Sequence, residues 1–273
     1  MAPMSNRLLV PRKTPGLLDL VPGAAAAYSL RSLSNSYAGP VVTVRRSSDD
    51  AEDSFTASEV ADGTLAAFCG AGEGFVKQWW DQSGNARHAS QTTAGYQPKI
   101  VSSGVVVTEE GKPAIQFNGT DEYLTATPLA VSQPAFFASV QRLITGSSAT
   151  YQKPYDGTVA GSRMNVYRVY DSSPITYGLY AGLPFIYSSR EFQVSQEIWI
   201  ALFDGASSYL YVNGALEIQA NAGSESISGL RIGADNDLNT WWDGTIQEII
   251  VYSSDQTSNR ELLEGQIAWS YSQ

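Results

Sequence analysis

The sequence predicts an all-β protein, a sandwich or barrel with a few short helices. Three observations predict it. Charged residues make up only 16% of the chain, while Gly, Tyr and Trp are plentiful, a balance that suits strands and turns. In the second half, short apolar runs recur roughly every 8–15 residues between turn signals. Asn213-Gly214, between Tyr211-Val212 and Leu216, is a strong two-residue hairpin signal.

At 273 residues the chain is long enough to bury a core without staples. No long linker and no repeat interrupts residues 20–273, so they read as one domain. The net charge of −10 and pI of about 4.6, with no basic cluster, argue against nucleic acid as the main partner. No apolar stretch approaches the length of a membrane span. One cysteine and one histidine exclude an intramolecular disulfide and a zinc site of ordinary Cys/His type. No cofactor is expected, and a structural calcium ion held by Asp and backbone oxygens stays open, with no ligands assigned.

Residues 1–18 carry Arg7, Arg12 and Lys13, no acid, and prolines at 3, 11 and 15. They read as an extended basic arm, either a disordered terminus or a docking arm ordered by a neighbour. The start of the chain lacks the apolar core of a secretory signal, which predicts synthesis in the cytoplasm or a mature form with its leader removed. Ala24 to Ala27 are strong helix formers, and Tyr28, Leu30 and Leu33 sit near helical spacing, predicting a helix over 21–34. Val41–Val44 is a β-branched strand. It leads into Arg45-Arg46-Ser47-Ser48-Asp49-Asp50, read as a buried ion-pair network in preference to a solvated turn. A short helix is predicted over 64–69, with Thr64 as cap and Gly70 as stop. Cys69 reads as a small buried apolar residue.

The run Phe75–Trp80 then enters a tight turn, Asp81-Gln82-Ser83-Gly84-Asn85, followed by His88. Asp81 can bond its own backbone, and Gly84 and Asn85 tolerate positive φ. The turn either fixes strand register or sets Asp81, Asn85 and His88 at the rim of a sugar-sized cleft. Further strands are predicted over 97–101, 105–107 and 114–117, with a hairpin tip at Glu109–Lys112. Others follow over 135–141, 164–170, 175–180, 197–204, 209–212, 216–220, 229–233 and 245–252. The tail, 256–271, places Leu262, Leu263, Ile267 and Trp269 near helical spacing and reads as an amphipathic helix closing over the sandwich.

Two stretches carry a resemblance. The segment from Ala24 to Asp53, followed by Trp79–Pro98 with its DQSGN turn, resembles the catalytic domain of the α-L-arabinofuranosidase B family. The second half, with Phe117–Leu124, Leu210–Gly214, Ile232–Asp235 and Asp243–Tyr252, resembles concanavalin A-like, laminin-G-like domains. Together they imply a concanavalin A-like jelly-roll β-sandwich over residues 20–273 behind an extended N-terminal docking arm, residues 1–19.

The resemblance also implies a retaining mechanism with two carboxylates about 5–5.5 Å apart. Gly233-Ala234-Asp235-Asn236 matches the family's Gly-Gly-Asp-Asn segment, with one Gly replaced, and makes Asp235 the acid/base. Glu191, which follows Gly182-Leu183-Pro184-Phe185, is the candidate nucleophile, though its neighbours do not match. The family's vicinal cysteine pair has no counterpart here. Asp235 also reads as a turn former and Glu191 as a surface charge. Asn236, Trp241 and Trp242 are candidate sugar contacts, the tryptophans through their ring faces.

Similar sequences occur in tailed-phage virions. The first expectation is therefore a non-catalytic structural and glycan-contacting protein of a bacteriophage particle. It would be located in the virion, bound to other virion proteins through residues 1–18 and to a host surface glycan, with a homo-oligomer in reach. The alternatives are a retaining α-L-arabinofuranosidase-like glycoside hydrolase, and a carbohydrate-binding module of an extracellular or cell-surface protein.

Overall fold

A computed structural model describes residues 14–144, 151–169 and 174–271. The fold is an antiparallel β-sandwich of curled sheets with a few short helices, as the composition and strand spacing predict. Its axis is the strand Asp243–Tyr252. On one side this strand pairs with Ala135–Leu143. On the other it pairs with Ile115–Asn118 at its start and Ala24–Ser29 at its end. After Asp243 it is buried along its whole length, because both of its faces are covered.

The alternation of side chains along the strands divides the core in two. Phe137, Ile249 and Val251 point between the sheet layers, into a cluster that also holds Trp79, Trp199 and Trp242. Phe136, Ile250 and Tyr252 point outward into a second cluster under the helices. The closing helix, Arg260–Tyr271, supplies Leu263, Ile267 and Tyr271 to that second cluster, one residue per turn. Leu262 lies on its exposed side.

Four expectations are corrected. The helix expected over 21–34 is instead the strand Ala24–Ser29, in register with Glu248–Tyr252. Helix propensity separates Ala from other residues by only about 0.5 kcal/mol each. All six residues of the strand are buried, between the layers on one face and under the helices on the other, and that burial decides the outcome. The extended arm does not persist to residue 19. Leu17–Leu20 form a helical turn, with Leu17 buried in the second cluster, and the arm's basic residues lie outside the described residues. The Arg45–Asp50 segment is a solvated hairpin turn, where Arg45 pairs with Asp50 at 2.6 Å and Arg46 with Asp49 at 2.7 Å. Its acids face water, Asp50 at 75% exposure. The helix Thr64–Cys69 forms as expected, but its cap position is Gly63, at φ 94°, and Asp62 accepts from the Thr64 amide. Cys69 is buried, and Asn213-Gly214 turns its hairpin with both residues at positive φ.

Candidate active site

The Asp81 turn is closed on the chain itself. Asp81 is 2% exposed. Its Oδ1 accepts from the Ala27 and Ser83 amides, and its Oδ2 from the Ser83 hydroxyl and the Arg87 amide. Asn85 donates to the carbonyls of Ala24 and Ala25. His88 accepts the Asp81 amide on Nδ1 and packs its ring on Trp80 at 4.5 Å. Burial lowers the His88 pKa, with the Asp81 charge opposing. A neutral imidazole is also what an Nδ1 acceptor requires. Asp81 and Asn85 hold the strand Ala24–Ser29 in place and His88 braces Asp81, and the structure thereby favours the register-fixing reading of this turn over a sugar rim.

Asp235 has different surroundings. The strand Ile227–Ile232 delivers it into a turn where its Oδ1 accepts from the Asn239 and Thr240 amides. Its Oδ2 lies 3.5 Å from Lys153 Nζ, which is 3.5 Å from Asp156 Oδ2 as well. Asp156 sits beside that strand through the pairing of Tyr155 and Asp156 with Ile232 and Arg231. Asp156 is wholly buried and saturated by Arg163, Asn165 and the Gly157 amide. Burial pushes the Asp235 pKa up, but Lys153 and the two amides overcome it, so the net shift is downward. Asp235 rests as an anion at neutral pH.

Above this cluster lies a cavity lined by Lys153, Arg163 and Asn165, with Tyr167, Tyr180 and Phe185 among its aromatic walls. Phe185 is 54% exposed and stacks on Tyr180 at 5.0 Å. At about 60 Å³ the cavity is far smaller than the roughly 300 Å³ of an ordinary ligand pocket, so it admits a hydroxyl or a ring edge, while the exposed Phe185 face offers a surface to stack on. Two larger cavities, about 380 Å³ each, share Ser32, Ala57 and Ser58. No Asp or Glu lines these two or the smaller cavity, but Lys153 on the wall of the smaller one contacts Asp235 and Asp156.

Glu191 lies at the end of the strand Ile186–Glu191, opposite Thr176. Tyr180, at the cavity, is four residues along the neighbouring strand from Thr176, or about 13 Å at strand rise. Glu191 is exposed, and it is not brought to Asp235. Trp242 is wholly buried against Trp199 at 6.0 Å, so it is a core residue and no sugar contact. Asn236 donates to Asp237 at 2.6 Å, and Trp241 is half-buried beside Tyr123. Lys153, Asp156, Arg163 and Tyr180 escaped sequence reasoning. They lie 55 to 82 positions from Asp235 in the chain, and only the sheet pairing unites them. No group of three or more His, Cys, Asp or Glu side chains suited to a metal occurs among the described residues.

The catalytic-domain model of α-L-arabinofuranosidase B matches residues 19–127. The matched stretch includes the Asp81 turn and ends before Asp235 and Glu191. A GH54 α-L-arabinofuranosidase soaked with a cyclic sulfate inhibitor superposes with a TM-score of 0.68 at 19% identity, over 89% of this chain and 62% of that one. An arabinofuranosidase complexed with arabinofuranosyl-α-1,2-xylobiose gives 0.61 at 21% identity, with the same coverage. The chain thus spans 62% of the length of these proteins and shares their fold. No curated protein matches it by sequence. The expectation of a non-catalytic structural protein of a bacteriophage particle is overturned, because sequence model and fold both point to arabinofuranosidases.

Proposed function

We propose that the chain is an arabinofuranosidase-like glycoside hydrolase that seats a furanoside in the aromatic cleft beside Asp235. One observation carries the reading: a buried carboxylate, in a Gly-x-Asp-Asn turn, contacts Lys153, which lines a small aromatic-walled cavity. Asp235 is the proton-handling group. As acid it must first take up a proton, and Lys153 opposes that. As base, in the second half of a retaining reaction, it is already in the required form. Turnover should therefore fall as the medium goes from acid to neutral. Glu191 would serve as nucleophile only if the strand that carries it closed toward the cleft.

The position of Glu191 favours a second reading, a carbohydrate-binding module that holds sugar without cleaving it. Assays with 4-nitrophenyl α-L-arabinofuranoside from acid to neutral pH separate the two. Under the hydrolase reading the chain turns over this substrate, and Asp235→Asn loses about 10²-fold or more. Glu191→Gln then loses as much if Glu191 is the nucleophile. Binding of arabinofuranosyl oligosaccharides with no turnover at any pH sinks the hydrolase reading and leaves the module.

A further inference from the structure

We propose that Tyr96, Tyr123 and Trp241 form a platform on which a neutral oligosaccharide chain stacks beside the Asp235 turn. The three rings make a row. Tyr96 and Tyr123 are 6.0 Å apart between centroids with 31° between planes, and Tyr123 and Trp241 are 6.1 Å apart with 47°. Tyr96 is 42% exposed, and the other two are half-buried. Each ring comes from a different part of the chain: the short helical turn Ala94–Tyr96, the entry to the strand Leu124–Val131, and the end of the Asp235 loop. The Tyr123 amide donates to the Tyr96 carbonyl. Trp241 pairs with Ala234 across that loop, in an isolated bridge.

The row is held rigid from one side. The Arg231 guanidinium lies 5.4 Å from the centre of the Tyr123 ring and donates to the carbonyls of Asp235 and Asn236. Rings fixed before binding lose little freedom on binding. A second observation points to a polar ligand. Arg231 Nε and Asn236 Oδ1 are buried without a hydrogen-bond partner among the described residues. One is a donor and the other an acceptor, the pair of functions a sugar hydroxyl satisfies. The C–H face of a sugar ring covers an aromatic face, and its hydroxyls reach the rim. A row of three rings addresses several sugar units in succession, so the ligand is a chain and no single monosaccharide.

The platform stands on its own geometry; only its role as an extension of the cleft rests on the hydrolase reading. The test is isothermal titration calorimetry of the full chain with xylohexaose, α-1,5-arabinohexaose and cellohexaose. At least one should bind, and Tyr96→Ala and Trp241→Phe should weaken it, Tyr96→Ala by about tenfold. Tyr96→Ala removes an exposed ring and leaves the backbone bonds of its turn in place. If none of the three hexasaccharides binds, or if Tyr96→Ala binds as tightly as the parent chain, the platform is refuted. Hexasaccharide binding that depends on Tyr96, with no turnover of the short furanoside, keeps the platform and removes the hydrolase reading.

Discussion

Two aspartates open two polar turns in this molecule, and the contrast lies in what each second carboxylate oxygen meets. Asp81 gives both oxygens to the chain, including the Ala27 amide of another strand and the Arg87 amide. Asp235 gives one oxygen to its own turn and directs the other to Lys153, beneath an aromatic cavity. The first arrangement fixes register and has no capacity left for a ligand. The second leaves one oxygen to a single lysine, and that lysine lines a cavity. Similar turn chemistry in sequence therefore yields a staple in one place and the proposed site in another.

The largest expected effect breaks the staple. Asp81→Ala leaves the Ala27 and Arg87 amides without their acceptor in a buried setting. Losing a carboxylate that accepts several buried N–H bonds costs on the order of 3–5 kcal/mol, measured as a shift of the urea midpoint. An Asp81→Ala protein as stable as the parent would show that the two turns do not differ in the way described.

How much of this was legible follows from the range of each interaction. Turn residues, the Asn213-Gly214 hairpin and most strands were readable because their signals are local. The bonds within the Asp81 turn were readable for the same reason. The partner strand of that turn was not: Ala24 to Ala27 look helical in isolation, and only burial on both faces makes them a strand. The fully buried position of Trp242 and the half-exposed position of Trp241 could not be separated from two adjacent letters, because the pleat that sends them apart is set by the sheet. At the proposed site, Asp235 was singled out through the resemblance of a four-residue pattern. Lys153 and Asp156 have no pattern of their own and meet Asp235 only through the pairing at Ile232.

The second prediction converts the Asp235 turn toward a neutral carboxyl. Lys153→Met removes the main group that lowers the Asp235 pKa and leaves burial, which raises it. The Asp235 pKa should rise, seen by carboxyl NMR titration, and the fall of hydrolysis toward neutral pH should move to higher pH with it. In the parent protein the folded-state pKa lies below the ordinary value of 3.8. The stability Asp235 contributes is therefore present above that value and lost as pH falls through the folded pKa. In Lys153→Met that dependence should weaken or reverse. An unchanged Asp235 titration would mean that the two amides, and not Lys153, hold the anion.

The smallest effect tests a third acid against the other two. Glu122, next to the Tyr123 ring, is pushed up to about 7, mainly by burial, which outweighs a hydrogen bond from the Asn118 backbone. It lacks the four bonds of Asp81, and the Lys99 charge lowers its pKa by less than burial raises it. The sign is opposite to that of Asp235. A carboxyl whose folded pKa is raised binds its proton more tightly in the folded state. Stability is then highest below the unfolded value of 4.5 and falls as pH rises from there through about 7. Glu122→Gln is neutral at all pH, so it should raise the melting temperature at mildly alkaline pH and leave it unchanged in acid. Equal shifts at both pH values would trace the gain to packing. No shift at either would show that Glu122 is solvated.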